Sequence, residues 1–223
     1  MDREKIIKVS RDFIQEIKKY NSKTVDLSGI QNILDCIHID EGWHWGLRLA
    51  EDKGYGDKSW FYCYYGDTDT YCREYGKPLN SEDGMDSFWK YYDFKEVFEI
   101  FEHLNVEKSD MGVWQAYLLS NATFILPTYW HGGYQKRKFI LCKEDTHHVS
   151  WLFNKPSIPD LNEDVGPDIY YDGTSATISC CFWSDFQGLF RETVKMSIVD
   201  GRVIFGDEYN KTILYKYSCK LKF

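Results

Sequence analysis

The stretch "LFRETVKMSIVDGRVIF", residues 189–205, is the clearest indication of a β-sheet in the chain. Val194, Met196 and Ile198 alternate with polar residues, the period of a strand packed on one face. Asp200–Gly201 follows them, a dipeptide that favours a two-residue type I′ turn. The turn predicts a hairpin with these cross-strand pairs: Val199 with Arg202, Ile198 with Val203, and Met196 with Phe205.

The closing run "TILYKYSCKLKF", residues 212–223, alternates in the same way. Ile213, Tyr215 and Tyr217 fall on one side of it, and polar residues fall largely on the other. The pattern predicts an antiparallel sheet that is packed on one face and ends in a C-terminal meander.

Helical periodicity dominates the beginning of the chain. Residues 3–20 repeat apolar side chains three and four apart, which predicts an amphipathic helix. Residues 29–38 predict a second helix, with Ser28 and Gln31 forming a capping box.

Two further helices are predicted in the middle of the chain. One begins after Asp93 and carries apolar side chains as far as Leu104, and the other is capped by Ser109 or Asp110. Helices first and strands last indicate an α+β fold. Because no stretch has the composition of a linker, residues 1–223 are expected to form a single α+β domain.

Short apolar runs between these elements predict additional strands. Residues 44–50 and 59–65 form a hairpin around a glycine-containing loop. "ATFILP" (122–127) and "KRKFILC" (136–142) are predicted to form two strands joined through "TYWHGGYQ". Residues 144–174 form an ordered but irregular connection.

The N-terminus and the cysteines indicate the compartment. The N-terminus is charged throughout and lacks a signal-peptide core, and no apolar run approaches ~18 residues. The seven cysteines are an odd number without C-x-x-C spacing. A cytoplasmic protein with reduced thiols and no membrane span is therefore expected.

The formal charge of −8 is concentrated in one segment. Residues 40–110 hold 17 acidic and 8 basic side chains, a net of −9. Because phosphate contacts require Lys and Arg, this charge argues against nucleic-acid binding by the segment. It suits a basic protein partner instead.

Within that segment lies "SWFYCYYGDTDTYCREYG", residues 59–76. The run resembles a calcium loop only at its start, because Cys72 and Pro78 occupy the positions that need glycine and glutamate. We interpret it as an aromatic strand that runs into an acidic turn. The residues predicted to bind the partner are Asp67, Asp69, Tyr71 and Glu74.

A second set of candidates combines tryptophan with histidine. "GWHWG" and "TYWHGGY" each place an imidazole among large aromatic rings beside glycine, as in small-ligand pockets. In this alternative, a cleft binds a small ligand or a carbohydrate, or hydrolyses it, through Trp43, His44, Trp45, Trp130 and His131. The histidines and cysteines lack zinc-finger spacing, and nucleotide-binding and hydrolase motifs are absent, so no metal or cofactor is predicted.

"EGWHWGLRLAED" and "SWFYCYYGDTDTYC" resemble in style the acidic immunity proteins that neutralise toxins in bacterial competition systems. The resemblance implies a non-catalytic protein that binds a basic toxin. A third hypothesis, an oligomer with aromatics at a self-interface, leaves the oligomeric state open.

Overall fold

A computed structural model describes residues 2–19, 27–50, 58–65, 100–125, 137–149 and 155–217. It contains helices together with antiparallel sheets, which confirms the α+β class. In the described part of the chain, no helix is both long enough and apolar enough to cross a bilayer.

Helix α1 (Arg3–Ile17) confirms the first predicted helix. Asp2 caps it by accepting a hydrogen bond from the Lys5 amide. Its inward stripe is fully buried, and Ser10 on that stripe accepts a hydrogen bond from the indole of Trp114 at 2.9 Å.

Helix α2 (Ser28–Ile33) is shorter than predicted, and the capping box is wrong, because no side chain caps its N-terminus. The chain leaves the helix where the buried Gln115 side chain binds it. The Gln115 amide oxygen accepts from the Cys36 amide at 2.8 Å, and its nitrogen donates to Asp35 at 2.7 Å. Residues predicted to be helical therefore form a strand, β1 (Ile37–Ile39).

Strand β2 (Trp43–Ala50) and strand β3 (Lys58–Tyr65) form the predicted antiparallel hairpin. The helix predicted after Asp93 is wrong at its end. A 3-10 helix at Ile100–His103 gives way to strand β4 (Leu104–Val106), because Leu104 pairs with Ile39 and alternation buries Leu104 and Val106. Residues 94–99 lie outside the described part.

Helix α3 (Asp110–Ser120) begins at the predicted cap, where the Ser109 hydroxyl accepts from the Gly112 amide at 3.0 Å. It is buried almost all round and forms the centre of the main core. The strand predicted at 122–127 is wrong over 122–125, and residues 126–127 lie outside the described part. Ala122–Ile125 is a short helix, α4, whose buried residues lie three apart.

The remaining strands form one five-stranded antiparallel sheet. The strands are β5 (Lys138–Ile140), β6 (Asp168–Tyr171), β7 (Ser175–Ser184), β8 (Gly188–Val199) and β9 (Arg202–Lys216). Strand β7 pairs on one side with β5 and β6 and on the other with β8, which pairs with β9. The predicted strand at 136–142 is thus confirmed as β5, with β7 as its partner. The C-terminal meander is confirmed as far as residue 217.

The β8–β9 turn has the predicted geometry. Asp200 and Gly201 have φ angles of 50° and 80°, as a type I′ turn requires. All three predicted pairs occur: Val199 with Arg202, Ile198 with Val203, and Met196 with Phe205. Register shifts further along β9 break the simple alternation, so Ile213 is 47 % exposed.

One face of the sheet is covered by the helices, and the other is covered only in part. The inner face packs on the helices in the main core, and the outer face carries a second core around Trp183 and Leu189.

The irregular connection predicted at 144–174 is confirmed at 155–167, where Leu161 and Val165 pack on this second core. It is wrong at its ends, because Lys143–His148 is a 3-10 helix and Asp168–Tyr171 is β6, which pairs with β7. Arg3 fixes the segment through a 2.6 Å ion pair with Asp164.

Candidate functional site

The residues predicted to bind a partner, Asp67, Asp69, Tyr71 and Glu74, lie outside the described residues. Trp130 and His131 of the predicted cleft do too. Both sites therefore stay predictions.

Strand β2 holds the other three cleft residues and places them on its two opposite sides. Cross-strand neighbours point to the same side, and Trp45 pairs with the partly buried Cys63. Trp45 is only 4 % exposed and lies in the main core. His44 is exposed on the opposite side of the strand. The structure thus places Trp43 and Trp45 together and points His44 away from them.

A different histidine stacks on Trp43. The His103 ring lies 3.2 Å from the Trp43 ring between centroids, with an interplanar angle of 13°. His103 ends the 3-10 helix, and its backbone carbonyl accepts a hydrogen bond from the Asp40 amide at 3.0 Å. No local pattern predicts this pair, because the two residues are 60 positions apart.

Asp40 is the centre of a polar junction below this stack. Its carboxylate accepts hydrogen bonds from Arg202 at 2.8 Å and from the Asn105 side chain at 2.6 Å. His103 Nδ1 is 3.9 Å from the same carboxylate, which is beyond hydrogen-bond length. With both of its oxygens occupied, Asp40 ties β1, β4 and the β8–β9 hairpin together.

Two buried side-chain nitrogens in the described part have no hydrogen-bond acceptor: Arg202 Nη1 and Trp45 Nε1. Such groups cost free energy in the folded state. The other terminal nitrogen of Arg202 donates to Asp40. In this junction, both carboxylate oxygens of Asp40 accept hydrogen bonds, but one nitrogen of Arg202 donates none.

Acidic side chains surround this junction. We define the acidic ribbon as β1 and β4 with their flanks, residues 35–41 and 102–110. It contains six acidic residues and one lysine, Lys108. Its exposed acidic side chains are Asp35, Glu41, Glu102 and Glu107. The ribbon therefore contains five acidic residues of the 40–110 segment, together with Asp35 just before it.

The thiols near the ribbon are poor nucleophiles. Burial, then the charges of Glu107 and Asp35, raises the pKa of Cys36 to about 12. Burial, then the charge of Asp40, raises the pKa of Cys63 to about 12 as well. Both remain protonated at neutral pH, and protonated thiols neither attack substrates nor bind metals well. Among the described residues, no group of three His, Cys, Asp or Glu side chains could hold a metal ion.

We expect Cys36 and Cys63 to be alkylated by iodoacetamide at neutral pH at least about tenfold more slowly in the folded protein than in the unfolded chain, because the folded state holds less thiolate. Residue-resolved mass spectrometry measures both rates. Alkylation of Cys36 at the rate of the denatured protein would show that its thiol is not suppressed.

Comparison with models of known protein families, with curated proteins and with solved structures gives no match. The function is therefore inferred from the residues themselves.

Proposed function

We propose that this chain is a non-catalytic, cytoplasmic binding protein that engages a basic protein through its acidic 40–110 segment and neutralises a toxin by doing so. The observation that supports the proposal is the acidic ribbon, where exposed carboxylates flank two paired strands: Asp35 and Glu107 at one end, Glu41 and Glu102 at the other. Clustered charge of one sign attracts an oppositely charged partner over a distance of about 10 Å and raises its association rate.

The ribbon is also held in a fixed shape. Its two strands pair over three residues, and the Asp40 junction anchors them to the β8–β9 hairpin. A surface that is ordered before binding loses less conformational entropy when the partner arrives. Protonated thiols close to the ribbon agree with a binding role.

The alternative function, binding or hydrolysis of a small ligand or carbohydrate, is supported by a single feature. The stacked rings of Trp43 and His103 give an aromatic surface beside a carboxylate, as sugar sites do. We rank it second because the carboxylate of Asp40 is already occupied by two donors.

The test of the proposal uses the protein encoded by the neighbouring gene, expressed with and without this chain. The variant carries Glu41→Lys, Glu102→Lys and Glu107→Lys. Asp35 stays unchanged because its carboxylate accepts from Gln115 in the fold. We expect wild type to bind the neighbour and restore growth, and the variant to bind at least about tenfold more slowly at low salt.

The matched control carries the same charge change at exposed acidic residues outside the ribbon: Glu4→Lys, Asp160→Lys and Asp168→Lys. Its association rate should be within about twofold of the wild-type rate, since electrostatic steering depends on where the charge lies. Equal slowing of both variants would show that net charge matters and the ribbon does not. Wild type that neither binds nor protects would contradict toxin neutralisation.

A further inference from the structure

The tip of the β8–β9 hairpin exposes two large apolar side chains next to the acidic ribbon. Val199 is 45 % exposed and Ile204 is 53 % exposed. Ile204 pairs with Ser197 and Val199 pairs with Arg202, so both apolar side chains lie diagonally on one face of the hairpin. The opposite face carries Ile198 and Val203, which are buried. We call Val199 and Ile204 the tip patch. They face outward, whereas Ile198 and Val203 of the same hairpin face the core.

The tip patch is continuous with the ribbon. The Gly201 carbonyl accepts a hydrogen bond from the Val106 amide at 2.8 Å, and Val106 is followed by the exposed Glu107. Arg202, between the two apolar residues, binds Asp40 of the ribbon. Asp200 in the turn adds another exposed acidic side chain.

The tip also packs closely against the ribbon. Gly201 has positive φ, and a Cβ there would lie 2.7 Å from Asn105 Oδ1, so the turn packs directly on the ribbon. An apolar patch held in place and bordered by charge has the composition of an interface centre with its polar rim.

We propose that the tip patch is the apolar anchor point of the partner-binding surface, and that its occupant is a protein segment with apolar side chains flanked by Lys or Arg. The charge of the surrounding carboxylates selects a basic border, and the two exposed aliphatic side chains select an apolar centre. This inference rests on the proposed function, and it adds the place at which the partner docks.

The test uses two synthetic peptides of equal charge. One is Lys-Lys-Leu-Tyr-Leu-Lys-Lys, and the other has three serines in place of its centre. Each is titrated into the full chain while backbone amide shifts are recorded by NMR. We expect the apolar peptide to shift residues 199–204 and to bind more tightly than the serine peptide.

The variant Val199→Thr/Ile204→Thr removes the apolar surface, keeps β-branched side chains and leaves every charge in place. We expect the double variant to bind the apolar peptide about fivefold or more weakly than wild type does, and to bind the serine peptide with unchanged affinity. Ile213→Thr is the control, because Ile213 is 47 % exposed on the same sheet but at the other end of β9. Folding of each variant is checked from the same spectra.

The outcomes separate the two proposals. If both peptides bind the ribbon equally and the double variant changes neither, the tip patch is not an anchor, while the acidic surface remains. If neither peptide shifts the ribbon or the tip, both proposals are overturned. Loss of apolar-peptide binding in the double variant, but not in Ile213→Thr, supports the inference.

Discussion

Replacement of Glu192 by Gln is expected to lower the free energy of unfolding by about 3 kcal/mol, because it removes the anion of a buried ion pair with Arg137. Glu192 is 4 % exposed on β8. One of its oxygens accepts from Arg137 at 2.7 Å and from the Tyr209 hydroxyl at 2.9 Å. The Tyr117 hydroxyl donates to the other oxygen at 3.5 Å.

A glutamine keeps the shape of this side chain but loses its charge, and one of its two polar atoms becomes a donor. Arg137, which lies over the rings of Phe182 and Phe190, then loses its ion pair with Glu192. Urea denaturation of both proteins measures the difference. The control is Glu208→Gln, which breaks the 2.6 Å pair with Lys195 on the exposed part of the same sheet. That change should cost less than about 1 kcal/mol, and equal costs would contradict the role given to Glu192.

Replacement of Gly188 by Ala is expected to cost about 3 to 4 kcal/mol through backbone strain and a steric clash. Gly188 opens β8 with a φ of 89°. A Cβ there would lie against the carbonyl oxygen of Tyr215 and 2.5 Å from the amide nitrogen of Tyr217. Because these are backbone atoms, the end of β9 would have to move away from β8.

Gly173→Ala separates the clash from the strain. Gly173 has a similar φ of 98°, but a Cβ would meet nothing within 4 Å. This variant should cost only about 1 to 2 kcal/mol, the strain alone. Thermal unfolding of the two variants gives the comparison. If Gly188→Ala is no more destabilised than Gly173→Ala, the close approach of β9 to Gly188 is wrong.

The sequence predicted best where local signals and tertiary contacts agree. The β8–β9 hairpin has alternation, an Asp-Gly turn and matching apolar pairs, and all of its predicted pairs occur. The Ser109 cap of α3 is likewise a local signal, read correctly. Neither needs information from a distant part of the chain.

The predictions failed where distant residues decide the local conformation. Gln115 binds Asp35 and Cys36, which lie about 80 positions away, and so ends α2 early. Leu104 continues a helical apolar period, yet pairing with Ile39 places it in a strand. Residues 122–125 form a helix because two apolar side chains three apart both reach the core.

The same reason applies to the candidate site. The acidity of the segment was visible in the sequence, but the ribbon depends on β1 and β4 meeting across more than 60 residues. The partner of Trp43 is His103, although His44 is next to it in the sequence. Spacing along the chain shows which side chains share a strand face, but not which distant histidine packs there.

The attraction of a basic protein to the ribbon is tested by the association rate constant with the protein encoded by the neighbouring gene, measured by stopped flow from about 20 mM to about 300 mM salt. We expect the rate for wild type to fall at least about tenfold over this range, whereas the rate for the Glu41→Lys/Glu102→Lys/Glu107→Lys variant should start low and change little. Wild-type and variant rates that are equal at low salt and have the same salt dependence would contradict it.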